Sequence, residues 1–453
     1  MTTAPAAVPL READAEARIG GACFTTGPPG RVGVELEWLV HDRIEPRRVV
    51  PVRRVDAALA ALEQPGSAAL PGGSRLTREP GGQVELSTPP AASLIEAVRA
   101  TATDLTALRS ALAGEGLTTG GLGLEPFRDP PRVLHDPRYG AMESYFDRVG
   151  PWGRLMMRAT ASVQINLDAG DESTGPAGYR YRWRLAHRLG PVLLAAFANS
   201  PLWRGRRTGW VSTRQAVWAR MDPTRTRPPD NHSTDADPRA VWTRYALDAQ
   251  LMCVRRTPPA GWDAPGGVTF RSWLRGALGE HRPRADDLDY HLSTLFPPIR
   301  PRGWLELRMV DAQSGDRWVV PLVLAAVLMD DPVAAEAAYA ATEPLTGGRP
   351  HPPAAVWLRA AQRGPADPEL GRAARACFAA ADRALARDPH AAGLRRVLAD
   401  FADRYPRRGR CPADDHPDPD RTAAAPARRV HRHHTTHQAD RPADPPIEGR
   451  FRP

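Results

Sequence analysis

Residues 31–40 read RVGVELEWLV, and this stretch fixes how the rest of the chain is read. Side chains alternate across an extended strand. Val32, Val34, Leu36, Trp38 and Val40 therefore share one face, and Gly33, Glu35 and Glu37 share the other. Three further segments repeat the pattern. In EPGGQVELSTPP (79–90), Val84 and Leu86 oppose Gln83, Glu85 and Ser87, and Gly81-Gly82 forms a turn that returns Glu79 to the same end. In RATASVQINLD (158–168), Ala161, Val163, Ile165 and Leu167 alternate with Ser162, Gln164 and Asn166. In GWLELRMV (303–310), Glu306 and Arg308 lie opposite Leu305, Leu307 and Met309.

An antiparallel sheet with one face in water gives the same alternation. Two features argue for more than a wet face. Glutamate is a poor strand former, yet it builds the polar face. Same-face neighbours along a strand also lie ~6–7 Å apart, where two carboxylates repel by about 2–3 kcal/mol at an effective dielectric near 20. The chain carries 61 basic residues, all of them arginine, so counter-ions are plentiful. Glu35, Glu37, Glu79 and Glu85 are nevertheless surrounded by Gln, Asn, Ser and Thr. Such hard oxygen donors suit Mg²⁺ or Mn²⁺ rather than zinc. Sites of that kind usually hold substrate phosphates as well. Arg308, two residues from Glu306 on the same face, is expected to meet phosphate. Arg214 and Arg225, in GWVSTRQAVWARMDPTRT (209–226), are further candidates for binding anions.

The composition narrows the chemistry. With no lysine, the 453 residues have no P-loop lysine and no Schiff-base nucleophile. A net charge of +9 permits non-specific contacts with nucleic acid but argues for no specific one. Cys23, Cys253, Cys377 and Cys411 are scattered without metal-binding spacing, which reads as reduced thiols of a cytoplasmic protein. Neither a signal peptide nor a membrane span is apparent. Helices are expected over Ser93–Ala113, capped by Ser93 and Glu96, over Tyr181–Asn199, and over the apolar run Val319–Met329. Arg220–Pro238 reads as a long loop. A catalytic domain is expected over residues 1–404, closed by a helical cap at 353–404. Residues 405–453 are rich in Pro, Arg and His and read as a disordered tail, with removal after Tyr405 expected to be harmless.

Taken together, VGVELEW (32–38), EPGGQVELSTPP (79–90), MMRATASVQINLD (156–168), FANSPLWRGRRTGWVSTRQAVWARMDPTRT (197–226) and LELRMVDAQ (305–313) resemble, in this order, the glutamate–cysteine ligases of the plant and bacterial type. The likeness is greatest to the actinobacterial ligases of ergothioneine synthesis. The resemblance implies an α+β, glutamine-synthetase-like fold, an antiparallel sheet bent into a partial barrel with helices around it. It implies ATP-dependent joining of the glutamate γ-carboxylate to the cysteine amine through a γ-glutamyl phosphate. A related ligase with another amine acceptor would carry the same machinery. ATP and Mg²⁺ (or Mn²⁺) are the implied co-substrate and cofactor, and small molecules the only implied partners. Glu35, Glu37, Glu79, Glu85 and Glu306 become the implied metal ligands, with Gln164 and Asn166 lining the same cradle. Arg308 would face the phosphates with Glu306 beside it, Arg214 the α-carboxylate of glutamate, and Arg225 a phosphate.

Overall fold

The computed structural model describes residues 9–60, 62, 70–229 and 236–416. Its strands are β1 (Val32–Asp42), β2 (Arg75–Arg78), β3 (Val84–Ser87), β4 (Leu117–Gly120), β5 (Ser162–Asp168), β6 (Leu202–Trp203), β7 (Arg206–Arg207), β8 (Ile299–Pro301) and β9 (Trp304–Asp311). One antiparallel sheet runs β2-β3-β1-β5-β9-β8, with β4 paired to the far half of β1; β6 and β7 form a separate small hairpin. The edges β2 and β8 do not meet, so the sheet is open and not closed into a barrel. With its many helices this is the expected α+β arrangement.

Register follows from the pattern of residues. Val34, Leu36, Val84, Leu86, Ile165, Leu167, Leu305 and Leu307 are all at most 1% exposed. Burying each such side chain is worth roughly 1.5–3 kcal/mol. A slip of one residue would carry the glutamates into that core, so one register is strongly preferred. Helices Tyr179–Phe197, Leu94–Gly114 and Val319–Asp330 pack against β9, β1 and β5 respectively. Ser93 caps its helix by accepting the Glu96 N–H at 3.2 Å. Among the described residues no single helix is long and apolar enough to cross a membrane.

Two expectations need correcting. Residues 158–161 do not begin a strand, because Trp152–Ala159 is a helix that buries Trp152, Met156 and Met157. Its Met, Leu and Arg residues are strong helix formers. The folded part also runs past residue 404, to His416. Cys411 and Ala413 are fully buried beside Ala198. Asp415 accepts hydrogen bonds from the Tyr405 hydroxyl at 2.6 Å, Arg404 at 2.7 Å and Arg410 at 2.9 Å. Composition misled here because small residues and one satisfied carboxylate do the packing. The remainder of the expected tail, 417–453, lies outside the described residues. Truncation after Tyr405 should now lower the melting temperature by several degrees, at about 2–4 °C per kcal/mol for a large domain. An unchanged thermal melt would restore the earlier boundary.

Candidate active site

The polar face of the sheet opens on a cavity of about 260 Å³, whose walls include Glu35, Glu37, Glu79, Glu85, Gln164 and five arginines, among them Arg214, Arg300 and Arg308. Larger open grooves exist elsewhere: one of about 560 Å³ has Asp248 as its single lining acid, and in one of about 820 Å³ Glu280, Asp286 and Asp287 stand among four arginines, with Asp286 and Asp287 both bonded to Arg255. The strands place these side chains directly. Glu37 on β1 stands opposite Glu85 on β3, and Glu35 stands opposite Gln164 on β5. Like charges directly across an antiparallel pair destabilise a sheet.

Glu79 reaches the cavity from the β2–β3 turn, whose geometry depends on glycine. Gly82 has φ +86°, and a Cβ on Gly81 would sit 1.9 Å from the Arg158 carbonyl oxygen. Gln83 ties the turn down by donating to the Thr160 carbonyl at 2.8 Å and accepting the Gly81 N–H at 2.9 Å.

Neutral groups donate to three of these carboxylates. Glu37 accepts from Ser162 at 2.9 Å and Gln164 at 2.6 Å, Glu85 from Thr77 at 2.7 Å and Ser87 at 3.1 Å, and Glu35 from Asn166 at 3.2 Å. Burial, followed by the charges of Glu306 and Glu85, pushes Glu35 up to about 7. Burial is also the largest cause of the upward shifts of Glu37, Glu79 and Glu85; neighbouring glutamates add to it. Four acids held against ionisation make a strong demand for cations. Their oxygens are the donor type that Mg²⁺ and Mn²⁺ prefer, so the residues fit such a metal. Among the described residues no three acidic, His or Cys side chains are already gathered tightly enough to hold one ion. The carboxylates line the walls rather than a single point.

Glu306 differs from the other four. It is fully buried, and both its oxygens already carry guanidinium bonds. Arg300 donates Nε at 2.8 Å and Nη2 at 2.9 Å, and Arg308 donates Nη1. Burial alone would raise its pKa, but Arg300 and Arg308 overcome this and hold it at about 2. In this structure Glu306 anchors two arginines behind the cavity wall, which differs from the expected open metal ligand.

Arg308 also donates to Gln164 Oε1, while its buried Nε has no partner. Arg214 is 2% exposed and donates Nη2 to the Arg308 carbonyl at 3.0 Å; its Nε and Nη1 have no hydrogen-bond partner. Buried donors left unpaired are costly, and here they belong to two side chains of the cavity wall. Asn166 sits one step back, bonding Glu35 and accepting the Trp304 indole N–H at 3.0 Å.

Arg225 requires correction. It is fully buried outside this cavity, and donates to Asp222 at 2.9 Å, to the Thr294 and Gln250 carbonyls, and to the Tyr145 hydroxyl. All its N–H groups serve the protein, so it braces the fold. Arg225→Met should lower stability by roughly 2 kcal/mol, the scale of lost hydrogen bonds to a charged group. The KM for ATP should stay within a factor of about two. A selective rise in that KM would return Arg225 to the binding machinery.

Sequence reasoning did not identify Arg300, Arg138 or Tyr139 as wall residues. A signal existed for Arg300. The two-residue turn Arg302-Gly303, with Gly303 at φ +89°, makes a hairpin that sets Arg300 opposite Glu306. Pro301 hid it, since proline argues against a strand unless the strand is an edge, as β8 is.

Residues 31–433 match the model of the glutamate–cysteine ligase family 2. The match runs well past Gln313, where the blocks read from the sequence ended. The glutamate–cysteine ligase EgtA of Mycolicibacterium smegmatis is 42% identical over 422 residues, covering 89% of this chain and 94% of its own. Its Mycobacterium tuberculosis counterpart is 41% identical over 421 residues, 92% of either chain. The chloroplastic glutamate–cysteine ligase of Arabidopsis thaliana is 31% identical over 267 residues, 57% of this chain and 50% of its own.

Proposed function

Because the chain belongs to the glutamate–cysteine ligase family 2, we propose that this cavity joins L-glutamate to L-cysteine at the expense of ATP. An oxygen of the glutamate γ-carboxylate attacks the γ-phosphorus of ATP, and ADP leaves. The cysteine amine then attacks the acyl carbon of γ-glutamyl phosphate; the C–O bond to phosphate breaks and a proton is lost from nitrogen. The products are γ-glutamylcysteine, ADP and phosphate. One observation carries the reading: four ionisation-resistant carboxylates and two arginines with unpaired buried donors line one cavity.

Glu35, Glu37, Glu79 and Glu85 are the residues that would hold Mg²⁺ or Mn²⁺. Such ions neutralise charge on a transferring phosphoryl group. Arg308 meets that phosphoryl group, and Glu306 with Gln164 fixes its guanidinium. Arg214 takes the α-carboxylate of glutamate through its Nε, which no protein group accepts from, while its Nη1 faces the Asp311 carboxylate at 3.7 Å. Asn166 and Gln164 keep Glu35 and Glu37 oriented through the amide donors described above. Work of this kind is positioning and electrostatics, with no covalent step on the protein. We infer further that the γ-glutamylcysteine feeds ergothioneine or a related thiol, the setting that the resemblance implies.

The test is ADP formation with glutamate, Mg²⁺ and a panel of amines. Cysteine should give the highest kcat/KM, and excess EDTA should abolish turnover. Preference for another amine would leave the ligase chemistry and change the acceptor; turnover in EDTA would remove the carboxylates' role.

A further inference from the structure

Arg214 reaches the cavity from the first turn of a short helix, Thr213–Trp218, and arginine is a flexible side chain. Something must aim it. Directly behind it lies Asp311, the last residue of β9, 1% exposed. Asp311 Oδ1 accepts the Ser212 hydroxyl at 3.0 Å and stands 3.7 Å from Arg214 Nη1. Asp311 Oδ2 accepts the Ser200 hydroxyl at 2.7 Å and the Asn199 backbone N–H at 2.9 Å. Both serines also hold the helix that carries Arg214: Ser212 Oγ caps it through the Gln215 N–H at 3.3 Å, and Ser200 Oγ accepts the Arg214 N–H at 3.1 Å. A single carboxylate therefore organises both the backbone and the charge of Arg214.

Asn199 is in turn held from outside. Its amide donates to the Gly121 carbonyl at 2.6 Å and the Ala312 carbonyl at 2.9 Å. Its Oδ1 is thus left to accept, and lies 2.9 Å from His416 Nε2, which must be the donor. His416 ends the segment that packs back onto the core through Cys411 and Ala413; there the Ala413 N–H meets the Ala198 carbonyl at 3.0 Å. Arg207 secures the same segment by donating to the His416 carbonyl at 2.5 Å.

We propose that Asp311, Asn199 and His416 are positioning residues, through which the C-terminal segment 405–416 fixes Arg214 for the carboxylate of the amino-acid substrate. The chain of contacts runs His416–Asn199–Asp311–Arg214, and none of the first three lines the cavity. This rests on the reading of Arg214 given above. Loss of the His416 link should loosen one substrate and spare the phosphoryl transfer machinery on Arg308.

The experiment uses the full chain with ATP, Mg²⁺, cysteine and varied glutamate. His416→Ala should raise the KM for glutamate about fivefold, the scale of one net hydrogen bond. The KM for ATP should hold and kcat should change little. His416→Gln, whose amide can donate from a similar place, should restore the wild-type KM. Arg214→Ala should raise the KM for glutamate on its own, and His416→Ala added to it should have no further effect, since coupled residues are non-additive. Equal, additive losses in both backgrounds would show that His416 acts elsewhere and overturn the proposal. The same holds for His416→Ala kinetics identical to wild type. An Arg214→Ala variant with an unchanged KM for glutamate would overturn the reading of the pocket, and the proposal with it. Asp311→Asn provides the second variant. Its loss should also fall on the KM for glutamate; a fall in melting temperature with both KM values unchanged would count against positioning.

Discussion

Replacing Arg308 by lysine is expected to lower kcat by on the order of 10²- to 10³-fold, the loss usual for one preorganised donor to developing charge. Lysine keeps the positive charge but is a point donor, whereas the guanidinium is a planar fork that can hold Glu306, Gln164 and a phosphoryl oxygen at once. In the structure Nη1 already serves Glu306 and Gln164, and Nε is buried without a partner. The interaction is realised as charge redistributes in the transition state, so the loss should appear in kcat with the KM for ATP changed far less. A competing account makes Arg308 only the counter-ion of Glu306. On that account Arg300, which holds both Glu306 oxygens, would cover for the change, and kinetics would stay within about threefold of wild type. Steady-state kinetics on the variant separates the two.

Glu85→Gln should separate activity from stability in opposite directions. Turnover is expected to fall by on the order of 10³-fold, because a hard anionic ligand is lost where cations must gather. The metal-free protein should become more stable. Glu85 faces Glu37 across the sheet, and burial with that neighbour's charge raises its affinity for a proton. Glutamine keeps an oxygen for the Thr77 and Ser87 hydroxyls and removes the repulsion. Functional sites commonly store such unfavourable interactions. Thermal melts in EDTA check the prediction; a melting temperature below wild type would mean that Glu85 is structural.

The carboxylate wall was legible because strand alternation with period two is a strong signal and glutamate is out of place in it. Glu35, Glu37 and Glu85 could be placed on one face from their spacing, and Glu79 from the Gly81-Gly82 turn. The partners of these residues were less legible, since they depend on which strands meet. Arg300 pairs with Glu306 only because β8 forms an edge, and so the paired Glu306 read as an open ligand. Arg225 lies in a stretch rich in Pro, Asp and Arg that looks solvated. Its burial is possible because Asp222, three residues before it, and Tyr145 with two backbone carbonyls from distant parts of the chain all accept from it. The segment after residue 404 was misread for a related reason. Its stability comes from hydrogen bonds to Ala198 and Asn199 and from the bonds gathered on Asp415, none of which shows in hydropathy.

The central claim is that the glutamate carboxylate is activated by phosphorylation in this cavity. Glutamate carrying ¹⁸O in both γ-carboxylate oxygens, turned over with ATP, cysteine and Mg²⁺, tests it directly. The account predicts that each inorganic phosphate released carries one ¹⁸O, that γ-glutamylcysteine keeps the other, and that the nucleotide product is unlabelled ADP. Unlabelled phosphate, or AMP as the nucleotide product, would contradict it.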